Sequence, residues 1–211
     1  MNILLQVLNA ANDLDTFLEV IEDNFPLAVE KITARIPVTE ADVVVANNPQ
    51  GAIPEIGIGG RTLNSHLVFV SIDVKFPNLK DFLPIRLERT LAHEFHHCMR
   101  LNTIGYGKTL LEALISEGLA DHFVVEIMGK EPNPWSTALA PDQLRIYLER
   151  AKAEFMNEKY NHQSWFFGRG NTDIPRWAGY ALGFHLVKEY LTKHPDKKPS
   201  QLYSMKAEEF I

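Results

Sequence analysis

The sequence predicts an α+β fold on three observations. Short apolar runs of β character are confined to about the first 75 residues, helices separated by Gly and Pro loops fill the chain after Pro77, and the sequence shows neither a repeat nor a linker long enough to separate independent domains. The expected arrangement is a single domain over residues 1–211, with a small α/β lobe at about 1–75, a mainly helical lobe at about 76–211 and a cleft between them. The α/β lobe is expected to hold a mixed sheet with an edge strand.

The elements follow in order. Residues 2–9 (NILLQVLN) are a short apolar run that fits a strand or the start of a helix, and their length favours a strand. From Asp13 to Arg35, Leu14, Phe17, Leu18, Ile21, Phe25 and Val29 keep a helical period, with Pro26 expected to kink or split the helix. Residues 42–46 (DVVVA) read as a strand, and residues 55–59 and 66–74 read as two more that flank GGRTLNS in the manner of a hairpin. Helices are expected at about 84–101, 109–128, 141–159 and 175–192, separated by Gly and Pro loops.

Composition narrows the function. With 211 residues, 45% of them hydrophobic, the chain can bury a sizeable core without staples. The single cysteine, Cys98, forbids a disulfide scaffold and fits a reducing compartment. A net charge of -6 with no basic cluster argues against a nucleic-acid partner. The first basic residue is Lys31, so the apolar N-terminal run lacks the charged start of a signal peptide. No apolar stretch approaches the roughly 20 residues that span a bilayer, and the expected location is the cytoplasm.

Chemistry concentrates in one expected helix. There His93-Glu94-Phe95-His96-His97 contains the pattern His-Glu-x-x-His (HExxH). Four residues advance a helix by about 400°, so His93 and His97 project from one face and can hold one metal ion, while Glu94 borders that face and can reach a water on the metal without being a ligand. Catalytic zinc takes three protein ligands and leaves a fourth position to water. A third histidine of the metzincin kind is absent, because Arg100 and Thr103 occupy the glycine and histidine positions of that pattern. The next helix offers Ser116-Glu117-Gly118-Leu119-Ala120-Asp121, in which Glu117 and Asp121 share a face. The small Gly118 and Ala120 are expected to let this helix approach the first closely enough for Glu117 to meet the metal. Asp121 would then accept a hydrogen bond from the outer nitrogen of a ligand histidine.

This arrangement resembles the gluzincins, zinc metallopeptidases in which a glutamate ligand on the next helix follows the second histidine and an aspartate four residues later supports the first. The resemblance implies a zincin-like fold, Zn2+ as cofactor, His93, His97 and Glu117 as ligands, and Asp121 as the partner of His93. More narrowly, HEFHHCMR, LLEALISEGLADHF, WFFG and AGYALGFHLV resemble a bacterial family of unknown function whose members are taken for zinc-dependent proteases and whose substrates are largely unsettled; the likeness covers about residues 55–193. Peptide bond hydrolysis is what it implies, with Glu94 as general base and a peptide or protein as substrate.

A donor for the oxyanion is also required. On the last long helix Arg176, Tyr180, Gly183 and Val187 fall on one side, with the glycine expected to let that side approach the cleft. In gluzincins of the aminopeptidase type a tyrosine downstream of the ligand glutamate is the donor, and Tyr180 matches it by resemblance; Tyr106, in the loop IGYGK, competes. The stretch 56–72 can supply the edge strand along which zincins lay an extended peptide. His96 reads as a packing residue, Cys98 as core, and Trp135, Trp165, Phe166 and Phe167 as core or lobe-packing residues. His185 lies about 140° from Tyr180 around its helix. His66, His122, His162 and His194 have no geometric case as ligands. The different-class alternative is a metal-stabilised binding or regulatory protein with a vestigial or highly restricted hydrolase site, against which the intact Glu94 argues, since a structural site has no use for a general base.

Overall fold

The structure, a computed structural model, describes residues 2–129, 131–170 and 173–211. It is an α+β chain whose described residues hold one small mixed sheet and six α-helices. They fall into two compact units, Met1–Asn102 and Thr103–Ile211.

In the first unit the strands are β1 (Asn2–Leu8), β2 (Glu40–Asn47), β3 (Ile58–Asn64) and β4 (Leu67–Ile72), in sheet order β1-β2-β4-β3. The first three in that order run parallel, and β3 is antiparallel at one edge. A parallel pair needs a crossover, and helix α1 (Leu18–Thr33) supplies it between β1 and β2. Period-two alternation buries one face: rungs Leu5–Val43–Val68 and Val7–Val45–Val70 align across the sheet, and the four β2 and β4 valines are fully buried. Helix α1 buries Ile21, Phe25 and Val29 of the expected stripe, and Ile32 besides, but starts at Leu18 instead of Asp13 and runs unbroken through Pro26. Its proline forfeits one intrahelical hydrogen bond, which the buried stripe outweighs.

The hairpin differs from its expectation in the position of the turn. Gly59, Gly60 and Arg61 belong to β3, and the chain reverses at Ser65–His66, where the His66 N–H donates to Asn64 Oδ1 (2.9 Å). The glycines serve space and not the turn: a Cβ on Gly59 would lie 2.4 Å from the Gly51 carbonyl oxygen. Helix α2 (Leu79–Thr103) starts five residues before its expected start, with Pro84 inside it, and runs alongside β3. Arg86 Nη1 donates to the Ile56 carbonyl (2.5 Å), Thr62 bonds Glu94, and Cys98 Sγ lies 3.9 Å from the Asn64 carbonyl oxygen, so helix and strand advance together.

The second unit is helical. Helix α3 (Leu110–Met128) is opened by a reciprocal cap in which Glu112 N–H donates to Thr109 Oγ1 and the Glu112 carboxylate accepts from Thr109 N–H. Gly129 closes it in the left-handed conformation. Helix α4 (Pro141–Glu154) stops five residues before its expected end, because the Phe155 side chain is buried and its carbonyl accepts from the free Leu111 N–H at the start of α3 (3.0 Å). Helix α5 (His162–Phe167) was not expected; six residues are too few for a period, though its Asn161 cap and its closing Gly168 are ordinary punctuation. Helix α6 (Ala178–Lys193) packs on α3 through glycines. A Cβ on Gly118 would lie 2.2 Å from the Gly183 carbonyl oxygen, and one on Gly183 would lie 2.0 Å from that of Leu114. Both glycines were expected to open an approach to the site; they serve the α3–α6 crossing instead. Backbone cannot yield as a flexible side chain can, so Gly183→Ala is expected to cost about 1–3 kcal/mol or more, measurable as a lowered denaturant midpoint.

Candidate metal centre

Helix α2 places His93 and His97 one turn apart with their Nε2 atoms 3.0 Å from each other and their rings edge to face, centroids 4.7 Å apart. Two nitrogens on one tetrahedral zinc at about 2.0–2.1 Å each stand roughly 3.3 Å apart, so the pair is already near that separation. Glu94 and His97 are buried and His93 is half-buried.

Glu94 leans on β3. Thr62 Oγ1 lies 2.7 Å from Glu94 Oε2 and 2.9 Å from the Glu94 carbonyl oxygen. A Cβ on Gly60, two residues earlier on the same strand face, would lie 2.5 Å from both Cγ and Oε1 of Glu94. Sequence reasoning missed Thr62; the available signal was its two-residue spacing from a glycine in a strand beside the motif helix.

Helix α3 carries Glu117, also buried, and Tyr106 Oη donates to its Oε1 at 2.5 Å. Burial first, then the Glu117 charge and the neighbouring Tyr180, hold the Tyr106 phenol well above the ordinary tyrosine range. Tyr160 is pushed up to about 12 by burial, then by Glu117 and Glu112. Asp121, one turn along α3, accepts from Asn133 Nδ2 (3.1 Å) and Trp135 Nε1 (3.2 Å) on Oδ1 and from Ser136 Oγ (2.6 Å) on Oδ2. These donors come from Asn133 and the 3-10 turn Pro134–Thr137; sequence reasoning read Trp135 as a packing residue and overlooked Asn133 and Ser136. The half-buried Tyr180 ring sits edge-on to Phe166 (5.1 Å) and in T-shaped contact with Trp135 (6.3 Å) and Phe167 (6.4 Å).

One ligand atom each of His93, His97 and Glu117 lies within 4.8 Å of the other two. Two imidazoles and a carboxylate are a donor set that zinc accepts, and three protein donors leave a fourth position open, so these residues fit the ion. The remaining histidines are occupied otherwise. His122 Nε2 is 2.9 Å from the Phe184 carbonyl oxygen with its ring stacked on Phe184, and burial pushes its pKa down. His185 faces Glu189 at 3.4 Å, and His194 Nδ1 faces the Tyr190 carbonyl oxygen at 2.9 Å. His96 and Cys98 are buried, and burial, then the Glu94 charge, raises the thiol to about 12.

Against known proteins, residues 26–211 match the family described as Predicted Zn-dependent protease (DUF2268). The chain is similar to the uncharacterized protein YjaZ of Bacillus subtilis (strain 168), 32% identical over 151 residues that cover 68% of this chain and 54% of that protein. It is also similar to the uncharacterized protein YjfC of the same organism, 26% identical over 122 residues, 52% of this chain and 41% of that one. The chain thus spans about half the length of the curated relatives it matches. No solved structure matches it.

Proposed function

The chain belongs to the family of predicted Zn-dependent proteases, and from that membership and its cluster of two imidazoles and a carboxylate we propose that it is a zinc metallopeptidase of gluzincin type with a zincin-like catalytic domain. The observation that carries the reading is the convergence of His93, His97 and Glu117 within 4.8 Å, with Glu94 adjacent in sequence to the first of them. These three residues would hold the ion. Zinc bound there supplies Lewis-acid polarisation of a substrate carbonyl and a lowered pKa for water.

The protein's own groups do the rest in this proposal. Glu94 takes a proton from the attacking water and delivers it to the leaving amine. Asp121, held by three donors, orients a ligand histidine by accepting from its outer nitrogen, His93 on the gluzincin pattern. Tyr180 is the preferred donor to the oxyanion by its match to the aminopeptidase-type gluzincins, with Tyr106, which donates to Glu117, as its competitor. Strand β3 is last in the sheet order, bridged on its outer side by Ile53 at Ile58, and the rest of that edge supports an extended peptide or protein substrate docked by main-chain hydrogen bonds. Cytoplasmic residence belongs to the same proposal; no helix among the described residues is long and apolar enough to cross a membrane.

Metal analysis with an unbiased peptide library tests the reading. The expected result is about one zinc per chain and zinc-dependent cleavage that chelation abolishes. Zinc retained without cleavage of any peptide or protein offered would favour the metal-stabilised regulatory alternative. Tyr180→Phe is expected to lower kcat about 100-fold with zinc content unchanged, as when a single oxyanion donor is lost; an unaltered kcat would transfer the role to Tyr106.

A further inference from the structure

We infer that Thr62 is a positioning residue for Glu94, its hydroxyl holding Oε2 so that Oε1, beside Gly60, is the oxygen that meets the attacking water. The inference rests on the protease reading above and deepens it. The Thr62 hydroxyl has one proton, and the Glu94 carboxylate at 2.7 Å, the Glu94 carbonyl at 2.9 Å and the Cys98 sulfur, a weak acceptor, all lie within reach. That carbonyl lies inside α2, where the amide four residues on serves it, whereas the carboxylate, among the described residues, takes its hydrogen bond from Thr62. A bond to a charged oxygen is also roughly twice as strong as one to a neutral carbonyl, so the proton is better spent on the carboxylate.

The strand is built to make that bond stiff. Threonine is restricted at χ1, and its position on a sheet strand fixes the donor as a lysine or glutamine on a loop would not be fixed. Pairing shifts between Thr62, opposite Val68, and Asn64, opposite Leu67, so a bulge at the exposed Leu63 follows Thr62 directly. Such bulges re-aim the side chains next to them. Gly60 completes the device, since any side chain there would occupy the space of Glu94 Cγ and Oε1. A glutamate otherwise free about three torsions is thus confined, with one oxygen engaged by Thr62 and the other beside the glycine.

The test uses the full-length zinc-loaded protein, with wild type, Thr62→Val, Thr62→Ser and Glu94→Gln assayed together. Valine keeps the shape and removes the hydroxyl. Thr62→Val is expected to lower kcat roughly 10- to 100-fold with KM and zinc content held, and Thr62→Ser to recover most of it. Wild-type kcat in the valine variant would overturn the assignment, as would a serine variant as impaired as the valine one. A second readout needs no turnover: in metal-free protein, Thr62→Val and Glu94→Ala, each of which removes one partner of the bond, are expected to be non-additive in thermal stability, and additivity would deny the contact. Wild-type protein that holds zinc and cleaves nothing overturns the protease reading and the positioning role with it, a result distinct from cleavage that survives loss of the hydroxyl.

Discussion

Glu94→Gln is expected to keep its zinc and its fold and to lose about 100- to 10,000-fold in kcat, the range a positioned general base contributes. Glutamine is isosteric, and its side-chain carbonyl can still accept from Thr62, so the buried side chain keeps its place beside Gly60. It cannot take a proton from water. Steady-state cleavage of a peptide found in the library, with metal content determined on the same preparation, measures the effect. Activity within tenfold of wild type would remove Glu94 from the mechanism, and loss of zinc would mean that the residue is structural.

Glu117→Gln is expected to have the second-largest effect and a different signature. A neutral amide oxygen is a weak partner for zinc, so the variant should lose zinc on desalting, with affinity reduced beyond the roughly 10- to 100-fold typical of a lost supporting residue. Cleavage falls in proportion to metal occupancy. The amide oxygen can still accept from Tyr106, so the metal-free variant is expected to unfold at the temperature of metal-free wild type. Full zinc occupancy in this variant would show that the carboxylate is no ligand, whatever the distance within its cluster.

Within each helix the spacing was legible in the sequence, while Glu117 as a ligand beside the two histidines was implied by the resemblance to the gluzincins. A spacing of four puts His93 with His97 and Glu117 with Asp121 on shared faces, and no tertiary information is needed to see it. Strands β1 and β2 and helix α3 were legible for local reasons, apolar runs of strand length and a long apolar stretch between glycine-containing loops.

What stayed hidden was the identity of partners. Gly59 and Gly60 carry the composition of a turn, yet they lie in β3 because the Gly51 carbonyl and Glu94 crowd them, neighbours fixed only by the fold. Gly118 was correctly marked as a place of close approach and wrongly matched, since its counterpart, Gly183, is far along the chain and glycine leaves no periodic trace. Thr62, Asn133 and Ser136 are short polar residues of kinds found in many turns and strands. Only the carboxylates they bond set them apart. Helix α5 escaped because its interior is one short aromatic run, equally at home in a strand.

The glycine crossing of α3 and α6 bears on how this protein can vary. Because main chain rests on main chain beside Glu117, the depth of that carboxylate depends less on which aliphatic or aromatic groups fill the rest of the interior. Volume changes at the leucine, isoleucine and phenylalanine positions there are expected to move the oxygen atoms of residue 117 less than a methyl group at either glycine would. Tolerance of drift and constancy of a reactive group are reconciled by two hydrogen atoms standing where methyl groups would be.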